Sequence, residues 1–171
     1  MSPKFRKSLR LHYFDYSQVG AYFITIVTQN RACLFGDIVN EEMILNDAGR
    51  MIEQIYLEIP RVMTGINVDT YQVMPNHFHC IILIEHDVGA GPSACPQPLI
   101  SLPDIVGRFK SLTTLRYIEG VKMNKWQRFF KRLWQRNYYE HVVRNEIEHQ
   151  AIADYIFCNP QNWEKDLEYP Q

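Results

Sequence analysis

"INVDTYQVMPNHFHCIILIE" (66–85) decides the fold. Residues 66–74 and 77–85 are rich in β-branched and apolar side chains, and each run reads as a strand. Pro75-Asn76 interrupts them, so a tight reversal there pairs the two as a hairpin, although Pro-Asn is a weaker turn signal than Asn-Gly. Side chains alternate along a strand. His77 and His79 therefore share one face with Ile81 and Leu83, while Phe78, Cys80, Ile82 and Ile84 line the other. A lone histidine near a strand end is ordinarily structural. Two at i and i+2 can converge on one divalent ion. The pair alone proves little, because His-x-His also occurs in cupins and zinc hydrolases.

Outward from this hairpin, "AYFITIVT" (21–28) reads as an earlier strand. Between them, "NDAGRMIEQIYLEIP" (46–60) has apolar residues at helical spacing, with Asn46 as N-cap and Pro60 as the stop. "HDVGAGPSACPQP" (86–98) is Gly- and Pro-rich, and a flexible loop is expected over 86–100. "SLPDIVGRFKSLTTLRYIEG" (101–120) reads as a helix. Ser101 and Asp104 suit a capping box, and Leu102, Ile105, Val106, Phe109 and Leu112 form its apolar stripe. "RLWQRNYYEHVV" (132–143) is expected as a fourth strand. "NEIEHQAIADYIFCNP" (145–160) is expected as a helix capped by Asn145 and ending at Asn159 before Pro160. The order β-α-β-β-α-β-α begins with the ferredoxin-like split βαβ pattern, an antiparallel sheet with helices on one face.

The chain's 171 residues, 46% hydrophobic and 22% charged, fit one globular domain with a sizeable core. No apolar run reaches the roughly 18–20 residues of a membrane span. The start "MSPKFRKSLRLHYF" is basic without a signal peptide's apolar centre. The four cysteines, Cys33, Cys80, Cys95 and Cys158, form no C-x-x-C pair, which argues against a zinc knuckle and for reduced thiols in a cytosol. Net charge is only -1, yet the basic residues are clustered. Lys4, Arg6, Lys7 and Arg10 lie near the start without an acid. Residues 108–136 carry Arg108, Lys110, Arg116, Lys122, Lys125, Arg128, Lys131, Arg132 and Arg136 against Glu119 alone. A charge run is often just a solvated surface. Clustered Lys and Arg are also what a polyanion site requires.

A site built on two imidazoles needs a further ligand and a reacting group. Tyr155 and Asn159 are four residues apart and share a helical face. Asn159 offers an amide oxygen to a metal, and Tyr155 a phenol that can serve as nucleophile. Taken alone, Tyr155 also reads as a packing tyrosine beside Ile152 and Ile156, and Asn159 as a helix C-cap. Trp126, Phe129, Tyr138 and Tyr139 can stack on unpaired bases or pack against the sheet.

Three blocks, "VMPNHFHCIILI" (73–84), "LWQRNYYEHVVRNE" (133–146) and "DYIFCNPQNWEKD" (154–166), together resemble the HUH single-tyrosine transposases, and more narrowly the REP-associated tyrosine transposases. The resemblance runs from about residue 10 through nearly the whole chain. It implies an α+β, ferredoxin-like HUH fold: one domain over 1–171, with a central antiparallel sheet of four to five strands and helices packed on it. A basic arm (1–12) and the 86–100 loop would be appended to it.

The resemblance further implies that Tyr155 is the nucleophile and that His77, His79 and Asn159 hold Mg²⁺ or Mn²⁺. Trp134-Gln135-Arg136 falls on a strand before the catalytic helix, and Lys110 and Ser111 on a helix facing DNA. With the basic clusters, the expected DNA contacts are Lys4, Arg6, Lys7, Arg108, Lys110, Ser111, Lys125, Arg128, Lys131, Arg132 and Arg136. The implied activity is metal-dependent cleavage and transfer of single-stranded DNA beside a hairpin, by a monomer or homodimer in the bacterial cytoplasm at the nucleoid. A hairpin-binding regulator that does not cut is the alternative. A zinc hydrolase is a third reading, weakened by the lack of an H-E-x-x-H helix or an evident carboxylate beside the histidine pair.

Overall fold

Alternation along Gly20–Val27 (β1) builds both faces of the central sheet. Tyr22, Ile24 and Ile26 join one core cluster and Phe23 the other. The structure is a computed structural model and describes residues 14–85 and 100–170. The basic arm with Lys4, Arg6 and Lys7 lies outside the described residues, as does nearly all of the 86–100 loop.

β1 is followed by a short hairpin, Gly36–Val39 (β2) and Glu42–Leu45 (β3), and then by helix Asp47–Val62 (α1). Ile66–Val73 (β4) and His77–Ile84 (β5) form the expected hairpin, closed by the Met74 amide donating to the His77 carbonyl at 2.8 Å. Helix Leu102–Met123 (α2), strand Tyr139–Val143 (β6), helix Glu146–Phe157 (α3) and a 3₁₀ turn at Pro160–Lys165 complete the described chain. The main sheet has the order β4-β5-β1-β6, antiparallel throughout. With the four strands numbered along the chain this is 2-3-1-4, the split βαβ arrangement.

α1 and α2 cover one face, where Ile52, Tyr56, Ile105, Val106 and Phe109 pack on Ile24, Ile26, Phe78, Cys80 and Ile82. Burial of each large side chain there contributes roughly 1.5–3 kcal/mol. α3 crosses the opposite face, where Ile156 packs on Phe23 and Ile81 with Ile152 and Leu83 beside them. This second core is small, and polar contacts add to it. His149 Nε2 of α3 lies 2.8 Å from Asp69 Oδ2 on β4, and His141 Nε2 of β6 lies 2.8 Å from Glu148 Oε1. Asp69 sits at a bulge in β4 between Val68 and Tyr71, and such bulges re-aim side chains.

The local expectations meet several corrections. Asn46 caps α1, accepting from the Gly49 amide at 2.9 Å, yet Pro60 does not stop the helix. Proline removes only its own N–H, and Met63 still donates to the Ile59 carbonyl. Leu112 faces solvent, and Thr113 takes the buried position instead. The expected strand 132–143 is broken. Trp134 makes one isolated bridge to Thr28, and the ladder resumes only at Tyr139. Lys110 explains the gap: its ammonium donates to the carbonyls of Gln135, Arg136 and Asn137 at 3.1–3.3 Å. α3 ends at Phe157 rather than Asn159, because the chain tightens to i→i+3 bonding, with Asn159 N donating to Ile156 O. Among the described residues, no helix is long and apolar enough to cross a membrane.

Candidate active site

β5 brings His77 and His79 to the sheet face under α3, opposite Val27 and Thr25 of β1. Both histidines are buried. Their Nε2 atoms stand 3.0 Å apart. Asn76 fixes the first ring. Its Nδ2 donates to the backbone carbonyls of Arg31 and Glu168, so its Oδ1 must accept, and it does so from His77 Nδ1 at 2.8 Å. His77 Nε2 is then a bare lone pair. Thr25 Oγ1 lies 2.9 Å from His79 Nδ1 and orients the second ring. Burial drives the His77 pKa down to about 3. It drives His79 well below the usual histidine range too, and neighbouring His77 adds to the shift. Both imidazoles are therefore neutral near pH 7, the form that ligates metals.

α3 delivers the other two expected residues. Asn159 lies just past its end in helical conformation, so the i,i+4 relation to Tyr155 survives. Asn159 is buried, and its Oδ1 has no hydrogen-bond partner. Its Nδ2 donates to Asp166 Oδ2 at 3.0 Å. An orphaned buried amide oxygen beside two neutral imidazoles is a donor set that fits a divalent cation. The Tyr155 ring lies 5.3 Å from the His79 ring and is half-exposed. Desolvation and the Asp166 carboxylate push its phenol up to about 12.

Sequence reasoning missed four participants: Thr25, Asn76, Trp163 and Asp166. Trp163, from the 3₁₀ turn, lies 5.8 Å from the His77 ring. Asp166 joins His77 and His79 in a cluster whose ligand atoms all lie within 4.8 Å of one another. Asp166 closes the quoted 154–166 block, but no periodicity links it to His79 of β5, 87 positions upstream of it. Its arrival also removes the missing carboxylate as a ground against a zinc hydrolase.

The basic residues distribute unevenly. Arg108, Ser111, Lys125, Arg128 and Lys131 are exposed. Arg132 and Arg136 line a hollow of about 460 Å³ with Arg31, Gln29, Asn30, Gln135 and Pro170. Lys110 is engaged by the three carbonyls named above and by the Tyr138 ring. Trp126 and Phe129 pack edge-on against buried Tyr117. Tyr139, opposite Thr25 on β1, shares the histidine face and is partly exposed.

An antiparallel sheet that offers a buried histidine pair to a tyrosine-bearing helix defines the class of protein: an α+β protein with a histidine–tyrosine centre. Residues 17–159 match the family described as "Transposase IS200 like", and the chain belongs to that family. It is 38% identical over 173 residues to an uncharacterised protein of Haemophilus influenzae, covering 96% of this chain and 93% of that one. It is 23% identical over 154 residues to the REP-associated tyrosine transposase of Escherichia coli K12, covering 89% and 74% of the two chains. In fold it is similar to a REP-associated tyrosine transposase solved bound to a REP hairpin, with TM-score 0.59 and 19% identity over 92% of this chain and 74% of that one. This fits the family resemblance of the three sequence blocks, and with it the zinc-hydrolase reading falls away.

Proposed function

We propose that the chain is a metal-dependent single-strand DNA endonuclease and strand transferase that recognises hairpin DNA and cuts through a 5′-phosphotyrosyl link on Tyr155. One observation carries the reading: a buried, partnerless Asn159 Oδ1 and an accessible Tyr155 phenol converge on two neutral histidines. His77, His79 and Asn159 would hold Mn²⁺ or Mg²⁺, the imidazoles favouring Mn²⁺. The ion, when bound, supplies Lewis-acid polarisation of a phosphate oxygen and offsets developing charge.

The protein does the rest. The sheet holds the histidines rigidly, and α3 positions the phenol beside them. The Tyr155 oxygen bonds to phosphorus, the bond to the 3′-oxygen breaks, and that oxygen takes a proton from solvent and leaves as a 3′-OH. The phenol proton passes to solvent, which reaches the half-exposed ring. Attack by another 3′-OH reverses the step, so the ester energy is kept without ATP. The hairpin that neighbours the cut would lie against the basic surface of α2 and residues 125–136, where phosphate contacts set register.

A fluorescent hairpin oligonucleotide with a single-stranded flank, incubated with and without Mn²⁺, tests the reading. A metal-dependent covalent gel shift is the expected result. A noncovalent shift alone would instead favour the hairpin-binding regulator.

A further inference from the structure

We infer that Asp166 is a direct carboxylate ligand of the metal at this site, making the donor set two imidazoles, one amide oxygen and one carboxylate. The inference rests on the metal-site reading above and extends it to a residue of the C-terminal segment. Three observations converge. Asp166 is the one acidic residue, among those described, whose oxygen clusters with both histidine nitrogens within 4.8 Å. Its Oδ2 already meets Asn159 Nδ2 at 3.0 Å, so the carboxylate and the partnerless Asn159 Oδ1 border the same space. Its other oxygen, Oδ1, accepts from the Glu168 amide at 2.6 Å, which holds the carboxylate in place from behind. Supporting hydrogen bonds of this kind are what orient carboxylate ligands.

Charge and hardness point the same way. Two neutral imidazoles and an amide leave a divalent ion's full charge in a largely buried site, which is costly without an anion. One carboxylate halves that charge. It also supplies the hard oxygen that Mn²⁺ and Mg²⁺ prefer over nitrogen. The segment is anchored for the task, because Glu168 O accepts from Asn76 Nδ2 and Glu168 Oε2 pairs with Arg31 Nε at 2.7 Å.

Metal binding, read without DNA, tests the assignment. Full-length Asp166→Asn keeps the side-chain shape and an acceptor for the Glu168 amide, and gives up the bond from Asn159 Nδ2. By calorimetric titration it should bind Mn²⁺ at least about tenfold more weakly than the parent, the lower end of what even supporting groups contribute, while its metal-free melting temperature, measured alongside, reads the lost hydrogen bond separately. A second variant asks for direct ligation. Asp166→Cys in a Cys158→Ser background, titrated with Cd²⁺, should develop a thiolate-to-cadmium ultraviolet charge-transfer band that saturates at one ion and disappears when His77→Ala is added. Mn²⁺ binding that needs His77 and His79 but is unchanged in Asp166→Asn, with no cadmium band in the cysteine variant, would overturn the role of Asp166 and leave the histidine site standing. Mn²⁺ binding unaffected by His77→Ala would overturn the metal-site reading itself.

Discussion

Replacing Thr25 by valine removes one hydroxyl from the strand beside the histidine pair and keeps the side chain's shape. The hydroxyl has two jobs. His77 Nδ1 donates to Asn76, so the proton between the two Nε2 atoms belongs to His79 Nε2. Thr25 Oγ1 must then donate to His79 Nδ1. A metal needs the opposite tautomer of His79, with Nδ1 protonated and Nε2 bare, and the same hydroxyl turns to accept. Valine can do neither. In Thr25→Val the buried His79 Nδ1 loses its partner, which costs roughly 1–3 kcal/mol of stability. Loss of the orienting partner lowers Mn²⁺ affinity by about 10–100-fold. Valine suits a strand, so β1 itself is not weakened. Urea unfolding of the metal-free protein and Mn²⁺ calorimetry measure the two effects separately, and Thr25→Ser, which keeps the hydroxyl, should stay near the parent in both. Mn²⁺ affinity in Thr25→Val within twofold of the parent would refute the tautomer reasoning.

Further outcomes follow from other parts of the molecule. His77 is held neutral with its pKa lowered to about 3 by burial, so the unfolded chain binds the extra proton first as pH falls. Its contribution to stability is complete above about pH 6.5 and is lost between there and about 3, by at most about 1.4 kcal/mol per pH unit. Metal-free His77→Gln should show a shallower loss between pH 6.5 and 5 in urea titrations, and identical slopes would contradict the shift. Asn40 and Glu41 both have positive φ at the β2–β3 turn, 52° and 65°, a conformation that suits Asn and glycine. Glu41→Gly should therefore stabilise the protein by about 0.5–1 kcal/mol in thermal or urea unfolding, and a destabilised variant would refute the strain. Arg132→Ala and Arg136→Ala, on the hollow they share with Arg31, should each flatten the slope of log K against log salt for hairpin binding by about one. Unchanged slopes would place the phosphates elsewhere.

The legible parts of the fold were those with local signals. Runs of β-branched, aromatic and apolar residues located β1, β4 and β5 to within about a residue, and the caps Asn46 and Asn145 marked the starts of α1 and α3. The β2–β3 hairpin escaped because its strands are four residues each and its turn is Asn-Glu rather than Asn-Gly. The break before β6 was invisible because Lys110, 25 residues upstream, takes the carbonyls a ladder would have used. At the site, His77 and His79 were legible from spacing, and the helix period linked Tyr155 to Asn159. Thr25, Asn76 and Asp166 were not, since tertiary pairing alone brings β1, the β4–β5 turn and the C-terminal segment to the histidines.

Tyr155 has one rival that the sheet places on the same face, the partly exposed Tyr139 across from Thr25. The decisive measurement is peptide mapping of the protein after reaction with a hairpin oligonucleotide carrying a single-stranded flank in Mn²⁺. The expected outcome is a single 5′-phosphotyrosyl peptide containing Tyr155, absent from Tyr155→Phe, which should still bind metal and hairpin. A link on Tyr139 or any other tyrosine would contradict it, as would the absence of any DNA-linked peptide from protein that binds both Mn²⁺ and the hairpin.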